Sequence, residues 1–204
     1  GFLSENTKIA RMCRQCGIDF IGPSPESIEK MGDKSQARQT MISAGVPVVP
    51  GTQETLTDAE QAQKEAEKIG YPVIIKASAG GGGKGMRVAQ NAGEFKELFL
   101  MAQNETKQAF GDDRMYLEKY LGNARHIEVQ VLADRFGNTI HLGERDCSIQ
   151  RRHQKMIEES PAVSLGEKLR GEMGAAAVRA AKAAGYYSAG TVEFLVDGDG
   201  RFYF

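Results

Sequence analysis

The sequence predicts an α+β fold, and three observations carry that reading. Helix signals recur along the chain, strand-like segments fall beside one another between them, and no regular alternation of single strands with single helices appears. A doubly wound parallel sheet needs that alternation, so strands grouped in antiparallel fashion with segregated helices fit better. By position, residues 1–45 read as the helical tail of one domain. Residues 46–121 read as a small lid of strands and helices, and 122–204 as part of an antiparallel core domain.

In chain order, Ile9, Met12, Cys13 and Cys16 keep helical i, i+3, i+4, i+7 spacing, which predicts that both cysteines pack on a helix face. IDFIG, 18–22, reads as a strand. Ser24 before Pro25 reads as N-cap followed by N1, and Asp33 with Gln36 as a capping box ahead of the stripe Ala37, Met41, Ala44. PVVPG, 47–51, reads as a strand; Thr57 with Glu60 then opens a helix with Ala62, Ala66 and Ile69 inside. YPVIIK and GMRVAQ are strands on either side of a glycine run, and Asn91 with Glu94 caps a helix that buries Phe95, Leu98, Phe99 and Ala102. MYLEKYL, RHIEVQVLA and NTIHLGERD follow as strands. Ser164 with Glu167 caps a helix carrying Leu169, Met173, Ala176 and Ala180, and GTVEFLV leads into a hairpin turn at Asp197 to Gly200. Gly45, Gly70, Gly111 and Gly185 stand where the helices stop.

The 204 residues, 41% hydrophobic, suffice for one large domain or two small ones. Twenty-six basic against 27 acidic side chains leave a net charge of −1, so no overall field recruits nucleic acid or an anionic membrane. Any anion site must be local. No apolar run approaches the roughly 20 residues that cross a bilayer, and GFLSENTKIARMCRQCG lacks the order of a secretory signal. A soluble cytoplasmic protein is expected. Three cysteines with one CxxC make neither a disulfide framework nor a four-ligand zinc site. With no initiator methionine and an end inside a hairpin strand, the chain reads as an interior piece of a longer polypeptide.

ASAGGGGKGMRV, 77–88, places five glycines and Lys84 directly after an apolar strand. Glycine costs about 0.5–1 kcal/mol relative to alanine in regular structure, so an ordered run implies a close approach that side chains would block. The phosphate-loop pattern GxxxxGK[ST] fails because Gly85 follows Lys84, and a dinucleotide fingerprint fails because MRVAQ continues as strand. What remains is a hairpin flap, either a slack linker or a nest of backbone N–H groups over an anion. Lys76 at the end of the preceding strand and Lys84 at the tip favour the anion.

Further on, QRRHQK gathers Arg151, Arg152, His153 and Lys155 in a chain of almost zero net charge; a solvated surface run and an anion site both fit. In RHIEVQV, period two sets Ile127, Val129 and Val131 on one face and His126, Glu128 and Gln130 on the other. Glu193 alternates with Val192 and Phe194, so its carboxylate points away from their face.

These segments together are specific. MGDK (31–34), GYPVIIKASAGGGGKGM (70–86), MYLEKYL, RHIEVQV, ERDCSIQRRHQK (144–155) and GTVEFL closely resemble biotin carboxylase, the ATP-grasp enzyme or domain of biotin-dependent carboxylases acting on acetyl-CoA, propionyl-CoA or pyruvate. The resemblance covers essentially the whole chain. It implies that Lys34 and Lys76 hold ATP phosphates, that Gly82, Gly83 and Met86 belong to the loop closing over the nucleotide, and that Glu118, Lys119, Tyr120 and Leu121 form the hinge strand bonding adenine. It places His126, Gln150 and His153 in the nucleotide pocket, gives Lys155 a part in holding bicarbonate, and makes Glu193 a magnesium or manganese ligand; Lys155, His153 and Glu193 are the catalytic set. Arg151 and Arg152 are expected to support the site through carboxylates such as Glu158 or Glu159, and Cys147 to pack rather than react.

The implied reaction is ATP-dependent carboxylation of biotin on a carrier protein, through carboxyphosphate, with a carboxyltransferase as a further partner and a homodimer as the assembly. The resemblance also implies a second metal-binding glutamate beyond Phe204, which makes turnover by these 204 residues alone unexpected. For an enzyme of eukaryotic origin it implies the mitochondrial matrix. Two other readings stand beside it: another ATP-grasp ligase such as a carbamoyl phosphate synthetase, and a nucleotide-binding module without turnover.

Overall fold

A computed structural model of the chain describes residues 6–78, 85–151 and 154–204, with Lys34 and Ser35 described in their backbone alone. Its elements are α1 (Thr7–Gln15), α2 (Pro25–Gly32), α3 (Lys34–Ser43), α4 (Ala59–Ile69), β1 (Val73–Ala77), β2 (Arg87–Ala89), α5 (Ala92–Phe110), β3 (Met115–Lys119), β4 (Arg125–Ala133), β5 (Thr139–Arg151), β6 (Gln154–Glu159), α6 (Glu167–Ala183), β7 (Ser188–Val196) and β8 (Phe202–Tyr203). They divide into two compact units, Val49–Gly122 and the pair Gly1–Val48 with Asn123–Phe204. Met41 and Val46 enter the same core as β4, β7 and α6.

The Val49–Gly122 unit, called the lid below, is a three-stranded antiparallel sheet in the order β2-β1-β3 backed by α4 and α5. Alternation in β1 buries Val73, Ile75 and Ala77, which meet Ala62 and Ala66 of α4 and Phe95, Phe99 and Ala102 of α5. Phe95 and Phe99, one helical turn apart, stack at 5.8 Å and give this small core an aromatic centre. β1 and β2 pair antiparallel on the two sides of the glycine run, whose residues 79–84 lie outside the described part. At Gly85 the chain requires glycine twice over. Its φ of +68° disfavours a side chain, and an added Cβ would collide with the Thr106 hydroxyl.

The other unit, called the body, is a five-stranded antiparallel sheet ordered β6-β5-β4-β7-β8. One face buries Ile127, Val129 and Val131 of β4 with Val192, Phe194 and Val196 of β7 against Met173, Ala176, Ala177 and Ala180 of α6. Alanines along α6 bring the helix close to the strands. Buried Glu144 on that face is matched by Arg170 of α6, Nε to Oε1 2.7 Å, and also accepts from the Ala162 N–H at 3.2 Å. A buried carboxylate needs such partners. The polar residues of β4 emerge on the opposite face.

Several local expectations shift. Asp58, not Thr57, caps α4, because its carboxylate accepts from Gln61 N–H at 2.7 Å. Ser164 does not cap α6: its hydroxyl donates to Asp146, and Gly166 holds the N-cap position without a side-chain bond. IDFIG is not a strand, since no described strand runs beside it, and PVVPG contributes only a bridge at Gly51. Cys13 is half-buried, whereas Cys16 is exposed at the C-cap of α1, so the packed cysteine face does not form; Ala10 is the residue that α1 buries. The strand β6, read as a basic run, is an edge strand exposed along its whole length and thus lacks the inward alternation that marks a strand in sequence.

Candidate functional site

The site residues expected from the sequence fall into two sets, one in each unit. In the lid, Lys76 follows Ile75 on the polar side of β1, and its ammonium pairs with the Glu118 carboxylate and lies 5.9 Å from the Tyr116 ring centre. Register explains the pair. Lys76 opposes Tyr116 and Ile74 opposes Glu118, so positions 76 and 118 are diagonal neighbours on one face. The side chains are 26% and 15% exposed, so solvent screens the pair only in part.

The hinge strand is less open than a bare edge. Leu56 exchanges both backbone bonds with Met115, Thr52 N–H donates to the Leu117 carbonyl at 2.9 Å, and Lys119 N–H donates to Pro50 at 2.7 Å. Tyr120 N–H turns inward to Pro72 at 3.0 Å. By strand alternation the Lys119 carbonyl and the Leu121 N–H come next on the outward edge, just past Pro50. The Lys119 ammonium is used elsewhere, on the carbonyls of Gly70 and Tyr71 at the end of α4. Met86 precedes β2, its carbonyl held by Arg87 at 2.8 Å. Gly82 and Gly83 lie outside the described residues.

In the body, the polar face of the sheet gathers a charge network. Glu128 of β4 stands opposite Glu193 of β7 on one side and Arg145 of β5 on the other, and Lys155 of β6 stands opposite Gln150. The Lys155 ammonium contacts Oε2 of Glu128 and Oε1 of Glu193. Two carboxylates facing each other across strands repel, and the lysine between them removes that cost. Glu128 is 6% exposed and Glu193 64%. Arg145 grips Oε1 of Glu128, with Nε at 2.5 Å, while its Nη2 donates to Gln130 at 3.1 Å and its Nε lies 3.4 Å from Glu158.

Protonation follows from these contacts. Burial works against charge on Lys155, but hydrogen bonds and attraction from Glu128 and Glu193 outweigh it and hold its pKa well above the usual lysine range. Burial likewise works against Glu128, and Lys155 and Arg145 more than offset it, keeping the carboxyl below its ordinary range. The Cys147 thiol is pushed up to about 11, first by burial and then by Glu128, so it is protonated at neutral pH and unsuited to nucleophilic attack.

Glu128, Cys147 and Glu158 approach one another within 4.8 Å, but a protonated thiol and two carboxylates already paired with cations are a poor set for a hard divalent ion. Glu193 fits one better: Lys155 meets its Oε1, but the side chain is largely exposed, so it can offer magnesium a hard oxygen beside water and phosphate oxygens.

Of the remaining expected residues, His126 is exposed on β4, its backbone N–H donating to Ser148 Oγ at 3.1 Å. Gln150 Nε2 donates to the Cys147 carbonyl at 3.0 Å. Lys34 begins α3 and is described in its backbone only; His153 and Arg152 lie outside the described residues. Arg151 is exposed, and the carboxylate Glu158, expected near Arg151 or Arg152, is met by Arg145. Spacing marks Glu128 only as a mid-strand carboxylate, and no local signal singles out Arg145. A groove of about 790 Å³ lined by Arg14, Asp134, Arg135, Lys182, Tyr186 and Tyr187 contains none of the expected residues.

Comparison with known proteins decides the family. Residues 33–204 match the model of the carbamoyl-phosphate synthase L chain, ATP binding domain, and residues 1–28 that of the biotin carboxylase N-terminal domain. The chain belongs to this ATP-binding domain family. Within it the likeness is to biotin carboxylases: 59% identity over the full chain to chloroplastic biotin carboxylase 2 of Populus trichocarpa, of which the chain spans 39%. A crystal structure of a biotin carboxylase complex with β-γ-ATP from Campylobacter jejuni superposes with TM-score 0.90 at 57% identity, covering all of this chain and 46% of that one. The biotin carboxylase domain dimer of Hydrogenobacter thermophilus 2-oxoglutarate carboxylase, with MgADP, ADP and bicarbonate, gives 0.88 at 52% identity, all of this chain and 45% of that one. The family's α+β architecture here is thus that of biotin carboxylase ATP-grasp domains. The chain spans under half the length of these relatives.

Proposed function

We propose that this chain supplies the ATP- and bicarbonate-handling part of a biotin carboxylase, which carboxylates biotin on a carrier protein at the expense of ATP. The observation that carries this reading is Lys155, a cation held between two carboxylates on one sheet face, one of them the exposed Glu193. Such a lysine keeps its charge at any physiological pH and can turn it toward a small anion when Glu193 is drawn elsewhere. Bicarbonate is that anion in this reading, and the H. thermophilus relative is a complex that contains bicarbonate.

In the lid, Lys76 neutralises nucleotide phosphates, sharing its charge with Glu118; in the body, Lys34 does the same from the start of α3. The Lys119 carbonyl and Leu121 N–H offer an acceptor and a donor spaced for the edge of adenine. Met86, with Gly82 and Gly83, belongs to the loop that covers the nucleotide and excludes water from a labile mixed anhydride. In the body, Glu193 holds magnesium, His126, Gln150 and His153 contribute polar groups to the nucleotide, and Lys155 orients bicarbonate.

Bound magnesium would neutralise charge on the phosphate oxygens. Bicarbonate oxygen attacks the γ-phosphorus, the bond to ADP breaks, and carboxyphosphate yields carbon dioxide to the biotin ureido nitrogen. Positioning and charge neutralisation by Lys76, Lys34 and Lys155 supply most of the acceleration in such a transfer. Lys155, His153 and Glu193 are the catalytic residues. A biotin carrier protein or domain and a carboxyltransferase are the partners, a homodimer the assembly, and a soluble compartment the location.

The matched family model also carries the carbamoyl-phosphate synthase name, so one experiment should separate the two ligases. Phosphate release from ATP by the complete protein, with magnesium and bicarbonate, is compared without addition, with free biotin and with ammonia. Bicarbonate-dependent stimulation by biotin is expected. Stimulation by ammonia alone would assign the carbamoyl phosphate reaction, and no response to either would leave a nucleotide-binding module.

A further inference from the structure

We infer that Arg145 is a positioning residue that sets the affinity of the body site for bicarbonate, acting through Glu128 on Lys155. The inference rests on the bicarbonate reading of Lys155. Its basis is a division of labour at one buried carboxylate: Arg145 takes Oε1 of Glu128 while Lys155 takes Oε2. A carboxylate with one oxygen pinned by a guanidinium fork cannot swing, so its second oxygen presents a fixed point from which the lysine extends. Gln130, opposite Thr191 on the same sheet face, accepts from Nη2 of Arg145 and fixes the other end of the fork.

Charge gives the second argument. With Glu193 engaged by a metal, the remaining network is Lys155 and Arg145 against Glu128 and Glu158, balanced two against two. Without Arg145 the same groups carry a surplus negative charge, and Glu128, its own second partner gone, holds Lys155 more tightly. Both changes oppose an incoming anion, and neither removes a group assigned to ATP. Arg145 itself need not contact bicarbonate.

The test uses the complete protein and steady-state titrations of bicarbonate and ATP for Arg145→Gln, Arg145→Lys and the double variant Arg145→Gln with Glu158→Gln. Arg145→Gln is expected to raise KM for bicarbonate about tenfold while KM for ATP stays within about twofold. Arg145→Lys keeps the charge but not the fork and is expected to recover part of that loss, as is the double variant, in which the surplus negative charge is removed. Equal rises in both KM values, or no recovery in either companion variant, would overturn the inference. Recovery by Glu158→Gln, a half-exposed position, also shows that Arg145→Gln is folded. Lys155→Gln is run alongside: an unchanged bicarbonate KM there would remove the reading of Lys155 itself, whatever Arg145 does.

Discussion

The two units hold a lysine in opposite ways. In the lid, Lys76 has one carboxylate, Glu118, across a single strand pair; in the body, Lys155 lies between Glu128 and Glu193, with Arg145 behind Glu128. Among the described residues Lys76 forms its ion pair with Glu118, and under the proposed reading a nucleotide phosphate competes with that carboxylate for the lysine. A network can release one carboxylate to another cation and keep the lysine charged and aimed. Under the proposed function, the contrast suits a lid that grips a highly charged nucleotide and a body that orients a weak, singly charged anion.

The cores differ as well. The lid leans on Phe95 and Phe99, both fully buried, so Phe99→Ala is expected to cost about 3–5 kcal/mol by thermal or denaturant unfolding. Amide exchange should show that loss in β1 and β3 first, with β4 and β7 protected. Equal loss of protection in both units would mean that they do not fold as separate cores.

Next in size, Lys76→Gln is expected to lower kcat/KM for ATP by about 100-fold in the complete protein, since it removes a positive charge from the proposed phosphate site. Unchanged ATP kinetics would remove Lys76 from the site.

The body network also predicts a pH profile. Glu128 has a depressed carboxyl pKa, so its contribution to stability is present above about pH 4.3 and disappears as pH falls through the lower folded value. Lys155 is raised, so its contribution is complete below about pH 10.4 and disappears only above that. Melting temperature followed by circular dichroism should therefore be insensitive to this network from pH 6 to 9 and fall on the acid side. In Glu128→Gln the acid slope should flatten; an unaltered slope would show that other carboxylates govern it.

Much of this was legible in the sequence, and the boundary has a physical cause. Long helices with strong periodicity, such as α5 with Phe95, Phe99 and Ala102, follow from local spacing, and the alternation of β4 put Glu128 and His126 on the polar face. The caps shifted where two candidates stood side by side, as with Thr57 and Asp58. What spacing could not show is cross-strand register: Arg145 meets Glu128 because β5 carries an irregularity between the partners of Val129 and Val131, which no local pattern announces. Edge strand β6 was hidden for a related reason, since full exposure erases the alternation by which strands are recognised. The resemblance to biotin carboxylase pointed to Lys155 and Glu193, and the fold shows what lies between and behind them.

The smallest effect concerns Cys147. Buried and with its thiol pKa near 11, it should resist alkylation at pH 8 in the folded protein while exposed Cys16 reacts. Cys147→Ala should leave ATP turnover within about twofold and cost on the order of 1 kcal/mol of stability. Mass spectrometry after timed iodoacetamide treatment checks the first point, and rapid labelling of native Cys147 would contradict the buried thiol.

The central claim is that the two lysines serve different substrates, and it is tested most directly by titrating ATP and bicarbonate in the complete protein for Lys76→Gln and Lys155→Gln side by side. The account predicts that Lys76→Gln acts chiefly on the ATP dependence and that Lys155→Gln raises the bicarbonate KM about tenfold with that for ATP nearly constant. Parallel changes in both substrates for both variants would contradict it.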